Sequence, residues 1–281
     1  MSTRKANLEI EIKLRVRDVP ALRRRLKQLR ARVITPCTYE SNTLYDTPKK
    51  DLARRGKLIR IRTEQPSSTT ARKNSTLAPK ALLTYKGPPP KSGMTIRQAN
   101  DERRSKSRYK VREEIEIVVS DGEPMRRILG ALGLCPLFRY EKFRTTYAIS
   151  MGASSRSSPL EKNVRHLKIE VDVTPIGTFL ELEGTPSSID RVARLLGYSQ
   201  SDYITQTYGA LYIAHSRLHG YKPTNMLFPP TKNCIDTHSF LDKDFNSVYL
   251  LSVSFLAGAV CSSSPQEIGH ERIKRARALS E

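Results

Sequence analysis

Charged side chains stand at alternate positions along several short apolar stretches of this 281-residue chain. Residues 8–16 read Leu-Glu-Ile-Glu-Ile-Lys-Leu-Arg-Val, which puts Glu9, Glu11, Lys13 and Arg15 on one face of a strand and Leu8, Ile10, Ile12, Leu14 and Val16 on the other. The pattern recurs with Arg60 and Arg62 between isoleucines, and with Arg112, Glu114 and Glu116 between Val111, Ile115 and Ile117. It returns with Lys168, Glu170 and Asp172, and with Glu181 and Glu183. Lys86 lies in a strand-like Leu-Leu-Thr-Tyr-Lys-Gly, and Lys142 and Arg144 in Glu-Lys-Phe-Arg. Guanidinium forks and ammonium groups bind phosphate oxygens. Carboxylates bind Mg²⁺ or Mn²⁺, which bridge to phosphate oxygens and relieve the repulsion between the two anions. A polar face carrying both suits a metal-assisted reaction of a triphosphate.

One such strand would have a solvent face. Seven of them suggest that the charged faces meet one another. The expected fold is therefore α+β: a single antiparallel β-barrel of about eight strands, closed into a tunnel with a charged lumen, with helices packed on its apolar outside. Helices are available. Asp18 caps one carrying Pro20, Leu22, Leu26 and Leu29, and Asp121 caps another carrying Met125, Ile128, Leu129 and Leu132 before Gly133. Residues 187–196 form a third before Gly197, and residues 203–214 a fourth. The chain also echoes itself. Glu9-Ile-Glu-Ile, Asp18 and Tyr45 recur as Glu114-Ile-Glu-Ile, Asp121 and Tyr147, at offsets of 105, 103 and 102 residues. That spacing predicts two related halves closing one barrel.

Lys and Arg number 49 against 28 Asp and Glu, a net charge of +21, of which +20 lies in residues 1–221. The excess favours anionic partners. The four cysteines are scattered with no Cys-x-x-Cys pair, which argues against a disulfide scaffold and a cysteine-based zinc site and fits a reducing, cytoplasmic setting. The N-terminus lacks the apolar core of an export signal. The apolar run Val248–Val260 is shorter than the about 20 residues of a spanning helix, so no membrane partner is expected. Residues 64–80, 88–108 and 151–163 read as loops, and residues 222–281 as an extension of low order. A noncatalytic RNA or polyphosphate binder is the competing class. Eight carboxylates among the lumen positions and the lack of an aromatic-rich RNA-binding sheet motif count against it, and no specific nucleic acid is expected.

The ordered series Glu9-x-Glu11-x-Lys13, Tyr45-Asp46-Thr47, Leu58-x-Arg60-x-Arg62, Lys86-Gly87, Arg112-x-Glu114-x-Glu116, Lys142-x-Arg144-x-x-Tyr147, Asp172 and Gly177-x-Phe179-x-Glu181-x-Glu183 resembles the CYTH family, the triphosphate tunnel enzymes. The likeness spans about residues 7–214 and implies one tunnel domain there. It implies Mg²⁺ or Mn²⁺ held by Glu9, Glu11, Glu114, Glu116, Asp172, Glu181 and Glu183. It implies a triphosphate held by Lys13, Arg60, Arg62, Lys86, Arg112, Lys142 and Arg144, with Glu9, Glu11 and Lys13 closest to the chemistry. The substrate would be a nucleoside, thiamine or inorganic triphosphate, and assembly as a homodimer is allowed for. Hydrolysis by an attacking water ranks first, and cyclisation of ATP to cAMP and pyrophosphate, as in class IV adenylate cyclases, second. Arg15 is assigned to the lumen or its rim. Tyr45, Tyr147 and Tyr208 read as packing residues with a polar tip, His166 as a strand-end residue, and Arg23-Arg24-Arg25-x-Lys27 as a solvated helix face.

Overall fold

A computed structural model describes residues 8–67, 80–89, 108–149 and 167–229. Eight strands run through them: β1 (Leu8–Val16), β2 (Arg32–Asp46), β3 (Leu58–Pro66), β4 (Lys80–Lys86), β5 (Lys110–Val119), β6 (Cys135–Ile149), β7 (Leu167–Thr174) and β8 (Gly177–Glu183). They close into an antiparallel barrel in the order β1-β5-β4-β3-β2-β6-β7-β8, with β8 returning to β1. The expected fold class is thereby borne out. The predicted duplication is visible in the order. The first half runs β1, helix, β2, β3, β4 and the second β5, helix, β6, β7, β8. Exchanging the halves strand for strand leaves the ring unchanged.

The helices cover the apolar outside as the alternation requires. α1 (Val19–Gln28) starts at Asp18, whose carboxylate accepts from the Ala21 N–H, and α3 (Gly122–Ala131) starts at Asp121 in the same way. α4 (Pro186–Leu195) is capped by Thr185. Gly133 and Gly197, at φ +81° and +82°, turn the chain out of α3 and α4 in the left-handed region that favours glycine. α1 and α4 pack Leu22, Leu26, Ile189, Val192 and Leu196 on the outward Ile12, Leu14, Ile169, Leu180 and Leu182. α3 seats Leu129 near Tyr45 and Ile61. The fourth expected helix begins later than its sequence suggested. A short 3₁₀ turn (Gln200–Asp202) comes first, and α5 (Tyr208–Leu218) follows, capped by Thr207. The one-turn helix α2 (Asp51–Arg54) was not foreseen. Asp46 supports it, accepting from the Leu52 and Ala53 N–H groups at 2.9 Å each.

The barrel unit extends to Pro230. Residues 225–228 lie along β6, where β7 does not reach: the Glu141 N–H donates to the Met226 carbonyl and the Met226 N–H to the Arg139 carbonyl. Met226 is fully buried against Tyr140, Phe179 and α5, and Phe228 meets Phe143 at 5.2 Å. A domain boundary at 222 would cut through this packing. Most of the expected loops, His166 and the run Val248–Val260 lie outside the described residues. Ending the chain after Pro230 should leave urea stability close to that of the full chain. Ending it after Tyr221 should cost about 2–5 kcal/mol, the range for losing a large buried apolar side chain. Equal stability of the two truncations would show that Met226 contributes nothing.

Candidate active site

Antiparallel register sets inward residues of neighbouring strands side by side. Glu40 pairs with Lys142, Arg144 with Asp172, Glu170 with Glu181, and Glu181 with Lys13. On the opposite wall Arg60 pairs with Thr84, Thr84 with Glu116, Lys86 with Glu114, and Glu9 with Arg112. The result is a cavity of about 370 Å³ lined by nine Lys or Arg and seven Glu side chains, with Thr207, Tyr208 and Gly209 at the tip of α5.

The β6–β7–β8 wall is organised by Arg144. Its Nε and Nη2 donate to the two Asp172 oxygens at 2.6 Å each, Nη2 also to Glu181 at 2.8 Å, and Nη1 pairs with Glu170. Glu40 lies 3.7 Å from Nε. Burial would depress the guanidinium's proton affinity, but Asp172, Glu170, Glu181 and Glu40 together hold it well above its ordinary value. Asp172 also accepts from Lys142 Nζ at 2.9 Å and from the Tyr208 hydroxyl at 2.7 Å. Burial and the Asp172 charge push the Tyr208 phenol far up, so it stays a donor. The facing carboxylates Glu170 and Glu181 diverge. Burial, helped by Glu181, keeps Glu170 above the usual range, whereas around Glu181 the effect of burial is outweighed by Lys13, Arg144 and Lys142.

The β3–β4–β5 wall is less fully paired. Arg60 reaches Thr84 at 3.1 Å and Glu116 at 3.3 Å, and Arg62 reaches Asn42 at 3.3 Å and Glu64 at 3.2 Å. The Nε atoms of Arg60 and Arg112 are buried with no hydrogen-bond partner. Lys86 bridges Glu9 at 2.6 Å and Glu114 at 3.3 Å. Between the walls, one Glu11 oxygen holds both Lys13, at 3.0 Å, and Lys110. Burial raises Glu11, but Lys13, Lys110 and Lys86 more than reverse it and hold the carboxyl below its usual range. Glu9 goes the other way. Burial, Glu11 and Glu114 outweigh the nearby Lys86 and raise it to about 7.

Every residue expected to hold metal or phosphate except Asp172 lines this cavity. Asp172 stands behind it, its oxygens engaged by Lys142, Arg144 and Tyr208. Among the described residues no group of three or more His, Cys, Asp or Glu side chains is placed to hold a metal ion by itself. Arg15 stands at the rim, over the Phe179 ring at 4.7 Å and donating to the Ile176 carbonyl. Glu40, Lys110 and Tyr208 are site residues that the sequence reading left out or assigned to packing. Glu40 sits in Thr-Tyr-Glu-Ser-Asn, where neither face is apolar and no alternation marks a strand. Lys110 does alternate with Arg112 and Glu114, and that signal was available.

The sequence profile of the CYTH domain matches residues 7–208. Since that is well over half of the chain, the chain belongs to the CYTH family. A Methanocaldococcus jannaschii protein named as a candidate adenylate cyclase is 25% identical over 189 residues, covering 67% of this chain and 83% of its own. Among solved structures, a candidate adenylate cyclase of Vibrio parahaemolyticus superposes with a TM-score of 0.53 at 18% identity, covering 74% of this chain and 98% of that one. A Pyrococcus horikoshii protein does so with a TM-score of 0.51 at 19% identity, covering 74% and 99%. At these identities the structural likeness supports the fold.

Two variants probe the network. Arg144→Met leaves four buried carboxylates without their shared counter-charge and should lower the unfolding free energy in urea by about 3–5 kcal/mol. A loss under about 1 kcal/mol, the range of an exposed pair, would mean the network is solvated. Glu9 binds its proton more tightly in the folded chain, at about 7, than at its ordinary 4.5. Its stabilising contribution is therefore complete below the lower value and is lost as pH rises through the higher. Relative to the parent, Glu9→Gln should gain stability as pH rises across that window, by up to about 3 kcal/mol. Parallel stability–pH curves for the two proteins would refute the raised value.

Proposed function

From this membership we propose that the chain is a divalent-metal-dependent phosphohydrolase acting on a triphosphate. The observation that carries the reading is a cavity whose lining holds two more cations than carboxylates, two of them, Arg60 and Arg112, keeping a buried Nε donor unpartnered. Buried cationic donors left unpaired are costly, and an anion with several oxygens would satisfy them. Arg60, Arg62, Lys86 and Arg112 would hold the phosphate chain from one wall, and Lys13, Lys142 and Arg144 would face it from the other. Tyr208 and Asp172 would keep Lys142 and Arg144 in place.

The carboxylates fit a hard, oxygen-seeking ion. Glu9, Glu11 and Glu114 lie near one another around Lys86, with Glu116, Glu181 and Glu183 on the same lining. Few dedicated protein ligands suffice for Mg²⁺ or Mn²⁺, which complete their shell with phosphate oxygens and water. When bound, such an ion supplies positive charge to the reacting phosphate and its nucleophile. In hydrolysis a water oxygen bonds to the terminal phosphorus, the phosphoanhydride bond breaks, and the charge left on the departing oxygen is neutralised by the lining cations.

Cyclisation of ATP to cAMP is the second reading, favoured by the naming of the Methanocaldococcus jannaschii relative. Hydrolysis ranks ahead because it asks only for the phosphate-holding cations that dominate the described lining, whereas cyclisation asks in addition for a pocket that fixes the purine and ribose. Incubation with ATP, thiamine triphosphate and tripolyphosphate, each with Mg²⁺ or Mn²⁺, should release inorganic phosphate and lose activity in excess chelator. Accumulation of cAMP and pyrophosphate would favour the second reading, and undiminished turnover without metal would remove the metal. Arg60→Ala should chiefly raise KM, by about 1.5–3 kcal/mol for a lost hydrogen bond to a charged group. Glu11→Gln should chiefly lower kcat and be partly rescued by added metal. Wild-type kinetics in both, with normal melting, would place the reaction elsewhere.

A further inference from the structure

Helix α1 carries its charge outside the tunnel. Leu22 and Leu26 are its buried side, while Arg23, Arg24 and Lys27 lie on its exposed side, and Arg30, just past the end of the helix with a left-handed backbone, is exposed as well. No acidic residue lies within α1, and Asp18 spends its carboxylate on the cap. Arg24, Lys27, Arg30 and the exposed Arg32 make no ion pair among the described residues.

The chain then enters β2 through an irregularity. Val33 and Thr35 pair with the consecutive residues Tyr147 and Thr146, so Ile34 is an extra residue. Bulges of this kind re-aim side chains, and Val33 and Ile34 are 53% and 58% exposed. Among the described residues this stretch of β2 pairs with β6 alone, since pairing with β3 begins at Thr38. The cations and the aliphatic pair are neighbours. Arg30 and Arg32 adjoin Val33 and Ile34 in the chain, and Tyr147, the partner of Val33, packs on the same apolar cluster as Leu22 and Leu26 of α1.

We propose that this surface docks the protein onto an anionic lipid bilayer, with the α1 cations at the headgroup phosphates and Val33 and Ile34 inserted at the interface. Nucleic acid would match the charge but give the aliphatic pair nothing to enter, since its binders rely on aromatic stacking and polar contacts to base edges. A bilayer accepts both halves of the surface. Each cation is worth roughly fivefold in partitioning to an anionic leaflet, so Arg24, Lys27, Arg30 and Arg32 together give an effect on the order of several hundredfold.

The chain contains no tryptophan, so Ile34→Trp creates a single reporter in the full-length protein. Leu132→Trp, at the end of α3 and 71% exposed in the parent, is the control. With vesicles of phosphatidylcholine and phosphatidylserine, the Ile34→Trp emission should shift to the blue and be quenched by brominated lipid. The control should do neither, and phosphatidylcholine vesicles alone should have no effect. The double variant R24E/K27E, with unchanged thermal melting, should reduce vesicle co-sedimentation more than tenfold, given two cations reversed. Equal shifts at both tryptophans, no binding to anionic vesicles, or binding to a short RNA without vesicle binding would overturn the proposal. If the double variant melts early, the Ile34→Trp comparison decides the matter alone.

Discussion

The paired contact between Arg144 and Asp172 is the constraint around which the tunnel is built. Two charges taken out of water are costly unless every donor and acceptor is met. Here the fork of Arg144 meets both Asp172 oxygens, and Lys142 and Tyr208 meet what remains. The same guanidinium offsets Glu170 and Glu181. Without it β6, β7 and β8 would bring Asp172, Glu170 and Glu181 together at strand spacing with only the neighbouring lysines to offset them, and closing the barrel on that side would be costly. α5 depends on the same contact, because the Tyr208 hydroxyl at its first turn is one of the four donor groups around Asp172.

The remaining lining divides according to how fully it is paired. The Arg144 wall is stiff and nearly saturated, which suits a fixed electrostatic frame. The Arg60 wall holds longer hydrogen bonds and two orphan donors. An incoming anion would find its unspent hydrogen-bonding capacity there. Such a division lets one chain pre-set a strong field with one wall and reserve the other for a ligand, without leaving a buried charge unbalanced before the ligand arrives.

Much of this was legible in the sequence, because a barrel with a charged inside and a greasy outside writes itself as strict alternation. β1, β5, β7 and β8 show it over most of their length, so their lumen residues could be named. β2 does not. Residues 37–43 are polar or aromatic on both faces, and Glu40 was hidden by the lack of a period. Tyr208 was hidden for another reason: spacing along a chain says nothing about where the tip of a helix enters a barrel, so its hydroxyl looked like a packing residue's polar end. Asp172 was expected among the metal ligands from its place in the motif. Its saturation by Arg144, Lys142 and Tyr208 is a property of three elements meeting, which no single strand reveals. The role of residues 225–228 was missed because composition made the whole segment after 221 look uniform, although Met226 and Phe228 are the residues of that stretch that a core would want.

The two halves of the chain build equivalent strands and line them oppositely. β3 brings Arg60 and Arg62 where its counterpart β7 brings Glu170 and Asp172, and β4 brings Lys86 where β8 brings Glu183. Each half also lends a strand to the other: among the strands, β1 pairs with β5 and β8 alone, both in the second half. The first half alone would hold β2, β3 and β4 as a sheet with two raw edges, while the strands that β1 joins lie about a hundred residues away along the chain. Closure of β1 on β5 and β8, and of β2 on β6, brings these distant partners together in one event. That makes the contact order high and folding slow for a chain of this size. It also makes the two halves obligate partners in folding: a nascent chain halted between β4 and β5 has three paired strands and a first strand with nothing yet to join.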